Sequence, residues 1–274
     1  MKSLRFKPSI LAMLILGSAC LPAWGQDQCR APEEAAGIPA PLALVSEALK
    51  PGHQLAILAV GSATMFGPEA SLAPGTVTAQ ALSASRLTVG PSQEFVQTAS
   101  DFSFPKQMVH ELTNLVPGAK VSVTVRGGRG LLASEMLVII RAELSHHHYD
   151  LVLWQTGTVE AVRNLPPSEF GQSLLDGAET IHEAGADLIL IDPQFSRFLQ
   201  TNANLDPYIQ ALQQVGSAPG VVLFRRFELM RNWANEGQID LERTARSDRK
   251  RVGEQLHACL GQHLAKLILD SARS

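Results

Sequence analysis

Aromatic side chains are scarce in this sequence: 10 Phe, 3 Trp and 2 Tyr among 274 residues, or 5%. The 45% hydrophobic content is therefore carried mostly by aliphatic residues. Basic residues are not in excess, with 23 Lys and Arg against 26 Asp and Glu. There is no basic stripe and no polybasic tail, which excludes nucleic acid and anionic membrane surfaces as expected partners. No fixed-period repeat or low-complexity tract is visible, so a solenoid is excluded. No apolar run is long enough to span a bilayer. Neither a Walker motif nor a complete Gly-x-Gly-x-x-Gly fingerprint is present. Cysteine is sparse, with three in the chain.

The longest apolar run, residues 10–16, lies in an N-terminal segment with the marks of a secretory signal peptide. Lys2, Arg5 and Lys7 form its positive region, and Ala23-Trp24-Gly25 is a small-x-small cleavage site. Cleavage after Gly25 removes three basic residues and no acidic one, so a net charge of −3 becomes −6. The product is expected to be exported, periplasmic or secreted, with no transmembrane anchor left. Cys20 leaves with the segment. Cys29 and Cys259 remain, and an oxidising compartment favours a disulfide between them.

Residues 26–274 read as one domain. Five short apolar runs, at 55–60, 120–125, 150–155, 187–191 and 221–224, have the near-continuous pattern of strands covered on both faces. Helical patterns at 41–49, 106–115, 131–144, 168–184, 206–215 and 249–269 lie between and around them. Strand and helix in alternation predict a three-layer α/β/α fold with a parallel sheet. Residues 72–101 do not fit; they are rich in Ser, Thr, Ala, Gly and Pro and read as an irregular insertion, a lid, a recognition loop or a passive excursion.

In an open parallel sheet, ligands bind outside the carboxyl ends of the strands. The residues that follow each run are Gly61-Ser62-Ala63-Thr64-Met65-Phe66-Gly67, Arg126-Gly127-Gly128-Arg129-Gly130, Thr156-Gly157-Thr158-Val159-Glu160 and Asp192-Pro193-Gln194. Asp248-Arg249-Lys250-Arg251 precedes the last helix. Arg126, Arg129, Glu160 and Asp192 make the expected crevice charged. That suits a carbohydrate or anionic ligand better than a lipid acyl chain, which wants an apolar slot. His146, His147 and His148 end a helix away from the crevice, where a solvated helix terminus is expected before a metal site. Nothing calls for a cofactor or a metal.

This ordered set of blocks resembles the SGNH (GDSL-type) hydrolases, most closely a bacterial exported subgroup. The resemblance also rests on residues 154–158, 223–233 and Cys259-Leu260-Gly261. It implies a five-stranded sheet of flavodoxin-like order and an ester hydrolase's site: a Ser nucleophile, a His base oriented by an Asp, and an oxyanion hole containing a Gly N–H and an Asn. Residue by residue, most of that chemistry is replaced. Ala63 falls on the nucleophile, with Ser62 one place early. Val159 falls on the oxyanion Asn and Arg251 on the base. Gly130 and Asp248 are retained. The resemblance thus implies a pseudoenzyme that binds a glycan or acylated envelope component, or an envelope protein partner. The alternative is an esterase or acyltransferase acting through Ser62, with His257 as base and Glu254 three residues before it.

Overall fold

The computed structural model describes residues 29–69 and 98–274. The signal segment and most of the irregular insertion lie outside the described residues. Strands β1 (Gln54–Gly61), β2 (Lys120–Gly127), β3 (Leu151–Gln155), β4 (Asp187–Ile191) and β5 (Val221–Phe224) form one sheet in the order β2-β1-β3-β4-β5. Every pairing is parallel. All five coincide with the predicted runs. β3, β4 and β5 are buried along their whole length and carry near-continuous apolar sequence, whereas the edge strand β2 alternates Lys120, Ser122 and Thr124 with valines and is only partly buried.

The described helices are α1 (Ala43–Ala48), α2 (Phe104–Leu115), α3 (Ala133–His146), α4 (Thr158–Arg163), α5 (Pro167–Glu183), α6 (Arg197–Asn202), α7 (Asp206–Val215), α8 (Arg226–Asn235) and α9 (Arg249–Arg273). They pack on both faces of the sheet, as predicted. Successive strand residues point to opposite sides. Leu55, Ile57 and Ala59 face one core with Leu112 of α2, Trp233 of α8 and Leu264 of α9. Leu58 and Val60 face the other, with Ile140 of α3, Leu174 of α5 and Leu212 of α7. Burying a Leu or Ile contributes about 1.5–3 kcal/mol, so the two cores dominate the stability of the fold.

Two glycines set close approaches. A Cβ on Gly127 would lie 2.0 Å from the Gly61 carbonyl oxygen, and its φ of +118° disfavours any side chain. This allows the ends of β1 and β2 to meet. Gly177 of α5 lies over the Trp154 ring, where a Cβ would come within 2.2 Å.

The segment before α1 is fastened to the carboxyl-terminal helix. Cys29 and Cys259 form a disulfide across 230 residues. The Trp233 indole donates to the Arg30 carbonyl (3.0 Å), and the His263 ring pairs with that of Cys29 (2.7 Å). No described helix is long and apolar enough to cross a membrane.

Candidate active-site crevice

The carboxyl ends of β1, β2 and β3 bring the first three blocks together. Gly61 ends β1, and its carbonyl accepts the Gly128 N–H at 3.0 Å. Ser62 is extended, and residues Ala63–Phe66 turn immediately into a short 3-10 helix. The Ala63 methyl is buried within this turn. Ser62 is partly exposed, and its Oγ accepts a hydrogen bond from the Gln155 amide at 2.6 Å. Thr64 donates its hydroxyl to Gln155 Oε1 at 2.7 Å. The Ser62 and Thr64 hydroxyls are 3.4 Å apart. Arg226 donates from Nη1 to Thr64 Oγ1 at 3.2 Å. One polar chain therefore runs from Arg226 through Thr64 and Gln155 to Ser62.

Behind this chain sit three buried ionisable groups. Arg226, at 1% exposure, has only that one hydrogen bond, and its Nε and Nη2 have none among the described residues. Burial brings the guanidinium down to about 10, opposed by the nearby Asp192 charge. Asp192 lies just past β4, and its Oδ1 accepts the Phe227 N–H in the first turn of α8 at 2.8 Å. Burial pushes its carboxyl up to about 7, opposed by that N–H and by Arg226. His257 is 3% exposed and takes the Phe104 N–H on Nδ1 at 3.1 Å. Accepting at Nδ1 leaves the ring proton on Nε2. Burial, with the Arg226 charge beside it, holds His257 down at about 3. The ring is neutral throughout the physiological range.

The other predicted residues fall into three groups. Gly130 and Val159 sit at the crevice end, and the Gly130 carbonyl accepts from Arg163 Nη2 at 3.3 Å. Glu160, expected to face a ligand, is buried instead. Its Oε1 accepts the Ala133 N–H at the start of α3 at 2.5 Å, and burial raises its carboxyl above the ordinary range. It therefore caps a neighbouring helix. Arg126 turns toward α3, where Nε meets Glu143 Oε1 at 2.5 Å. Arg129 is exposed. Asp248 and Arg251 are exposed at the start of α9. Lys250, between them, meets Glu69 at 3.2 Å, which sets the last block beside the turn that follows the first. Ser62 and His257 share no hydrogen bond among the described residues.

His146, His147 and His148 lie at the end of α3, and His148 meets Asp150 at 3.3 Å. No group of metal-ligating side chains occurs among the described residues.

Gln155, Thr64 and Arg226 carry the crevice's polar network, and residue-type reasoning passed over them. Gln155 had a signal: it is the single polar residue of a strand reading Leu-Val-Leu-Trp-Gln. Arg226 had a weaker one, as the second of two arginines directly after an apolar strand.

Sheet order and the gathering of the blocks at one end define the scaffold of an SGNH (GDSL-type) hydrolase. Residues 76–274 match the model of the non-GDSL lipase-like family, and the chain belongs to that family. Among solved structures, it is similar to LAE5, an α/β hydrolase enzyme from the metagenome of Lake Arreo, Spain. The TM-score is 0.57 at 14% identity, over 82% of this chain and 99% of that one. The lipase/acylhydrolase from Enterococcus faecalis gives 0.53 at 16% identity, over 78% and 94%. A two-domain esterase active on acetylated mannans gives 0.55 at 11% identity over 81% of this chain, which spans 50% of that esterase. At such identities these likenesses speak for the fold alone. No curated protein sequence matches.

Proposed function

We propose that this protein is an exported, non-hydrolytic member of its family that uses the crevice to bind a glycan or acylated envelope component, or to assist an active partner. The observation that carries the reading is the pairing of the Ala63 methyl at the nucleophile position with the Ser62 hydroxyl held by an amide donor. A serine attacks an acyl carbon only when a base accepts its proton. Among the described residues the hydrogen-bond neighbours of Ser62 are the Gln155 N–H and the Thr64 hydroxyl, and neither is a base. Arg251 is exposed, and a guanidinium carries hydrogen-bond donors but no acceptor. His257 is occupied by the Phe104 N–H and is far too weak a base at about 3. Val159 offers no oxyanion donor, a loss that by itself costs about 10²–10³ in rate.

The Cys29–Cys259 disulfide supports export, since such bonds persist in oxidising compartments. The polar crevice supports a hydroxyl-rich ligand, and the similar two-domain esterase is active on acetylated mannans. The partial exposure of Ser62 favours the rival reading, an esterase using Ser62 with His257. Hydrolysis of p-nitrophenyl acetate and butyrate by the purified protein separates the two. The expected rate is that of buffer, unchanged by a serine-directed phosphonate. Turnover that the phosphonate abolishes, and that Ser62→Ala removes, would establish the rival.

A further inference from the structure

Arg226 carries a buried charge without an ion-pair partner among the described residues. It opens α8 directly after β5, and only 1% of its surface is exposed. A guanidinium has five N–H donors and no acceptor. Nη1 is spent on the Thr64 hydroxyl at 3.2 Å. Nε and Nη2 have no hydrogen-bond partner among the described residues. These two nitrogens share one edge of the guanidinium, and the parallel N–H groups of such an edge fit both oxygens of a carboxylate. A water could satisfy the donors but would leave the charge unbalanced.

The acidic and titratable groups around it are otherwise engaged. Asp192, after β4, spends Oδ1 on the Phe227 N–H at 2.8 Å. It acts on the guanidinium by charge at a distance, without a hydrogen bond, and its burial favours the protonated form. Glu228, two residues along α8, pairs with Arg231. His257 of α9 accepts the Phe104 N–H and is neutral. Replacing a buried charge by an apolar side chain of similar volume is often neutral or stabilising. The fold alone therefore gives no reason for a guanidinium here.

The crevice does give one. Ser62 and Thr64 are partly exposed, so the guanidinium lies one hydrogen bond beneath a surface that a ligand can touch. Attraction across so short a buried path is weakly screened. The Ser62 and Thr64 hydroxyls, 3.4 Å apart, bring polar groups to the same place. We propose that the crevice takes a ligand bearing a carboxylate, seated against Ser62 and Thr64 with Arg226 beneath them as its counter-charge. Combined with the glycan reading above, on which this part rests, the ligand is an acidic saccharide of the uronate class. The carboxylate itself does not depend on that reading.

Calorimetric titration of the full protein at fixed ionic strength with trigalacturonate, with its fully methyl-esterified form and with acetate tests this. The acid is expected to bind about 10-fold more tightly than its uncharged ester. That comparison uses the wild-type protein, so it does not depend on a variant folding. Arg226→Met is expected to remove the preference while its urea midpoint stays at or above that of wild type. Arg226→Lys, which keeps the charge, is expected to retain the preference. Acetate that binds as tightly as the trisaccharide would uphold the carboxylate and assign it to a free acid, against the glycan reading. Four results would overturn the proposal. They are an ester that binds as tightly as the acid, no binding of either carboxylate at tens of millimolar, an Arg226→Met variant that keeps the preference, and a midpoint for that variant below wild type, which would give the guanidinium to the fold. Phosphonate-sensitive ester turnover would overturn the non-hydrolytic reading and leave this one standing.

Discussion

Asp192 and His257 titrate in opposite senses beside the same guanidinium, so their effects on stability should cancel. Burial holds the Asp192 carboxyl up at about 7, against an ordinary value of 3.8. Between those values the folded chain keeps a proton that the unfolded chain has lost. The stability this group contributes is therefore full below the lower value and is lost as pH rises toward the upper one. Burial and the Arg226 charge hold His257 at about 3, against 6.5. Here the unfolded chain carries the extra proton, so the contribution is full above the upper value and is lost as pH falls. The two windows overlap from about pH 4 to 6.5, and each proton corresponds to about 1.4 kcal/mol per pH unit. Removing one member should expose the slope of the other. Asp192→Asn keeps an acceptor for the Phe227 N–H. Its stability relative to wild type should climb by about 1.4 kcal/mol for each pH unit gained across the window. His257→Asn keeps an acceptor at the δ position that the Phe104 N–H meets, and its relative stability should fall at the same rate. Across two pH units each difference amounts to about 3 kcal/mol. Urea midpoints of the three proteins at several pH values measure this, because the comparison removes the background of all other titrating groups. Variants whose curves run parallel to wild type would refute the reasoning.

Two further outcomes follow from packing and covalent structure. Cys29→Ser opens a loop of 230 residues and is expected to cost about 5 kcal/mol on the chain-entropy model; thermal unfolding with and without reductant measures it, and an unchanged midpoint would contradict it. Gly177→Ala forces a methyl against the Trp154 ring, an overpacking expected to cost about 1–3 kcal/mol. A lowered midpoint with an altered near-ultraviolet dichroism of the tryptophan is expected, and equal stability would show that the ring yields freely.

Most of the sheet was legible because its inner strands are nearly all apolar, as in Leu-Val-Leu-Trp and Leu-Ile-Leu-Ile, while the edge strand β2 showed as valines alternating with polar residues. The six periodic helical patterns correspond to α1, α2, α3, α5, α7 and α9. Helices α4 and α6, six residues each, are too short to show a period. Helix α8 was hidden by its charged start, where Arg226 is buried rather than solvated. At the site, the blocks were legible in order and residue type, including the methyl at 63. The pairings were not. Gln155 reaches Ser62 across 93 residues, and Arg226 reaches Thr64 across 162. No local pattern encodes that a buried guanidinium will find a hydroxyl so far away. For the same reason Arg126 and Glu160 read as ligand groups, although α3 claims both.

The Cys29–Cys259 bond joins the segment before α1 to the middle of α9. All five strands and the crevice turn at Ser62 lie between its two sulfurs. A protease that cuts once anywhere in that interval makes two polypeptides but releases neither. Such a nick would be invisible on a non-reducing gel and would appear as two bands only after reduction. In the oxidising surroundings proposed for it, the molecule would survive a single cut as one covalent body.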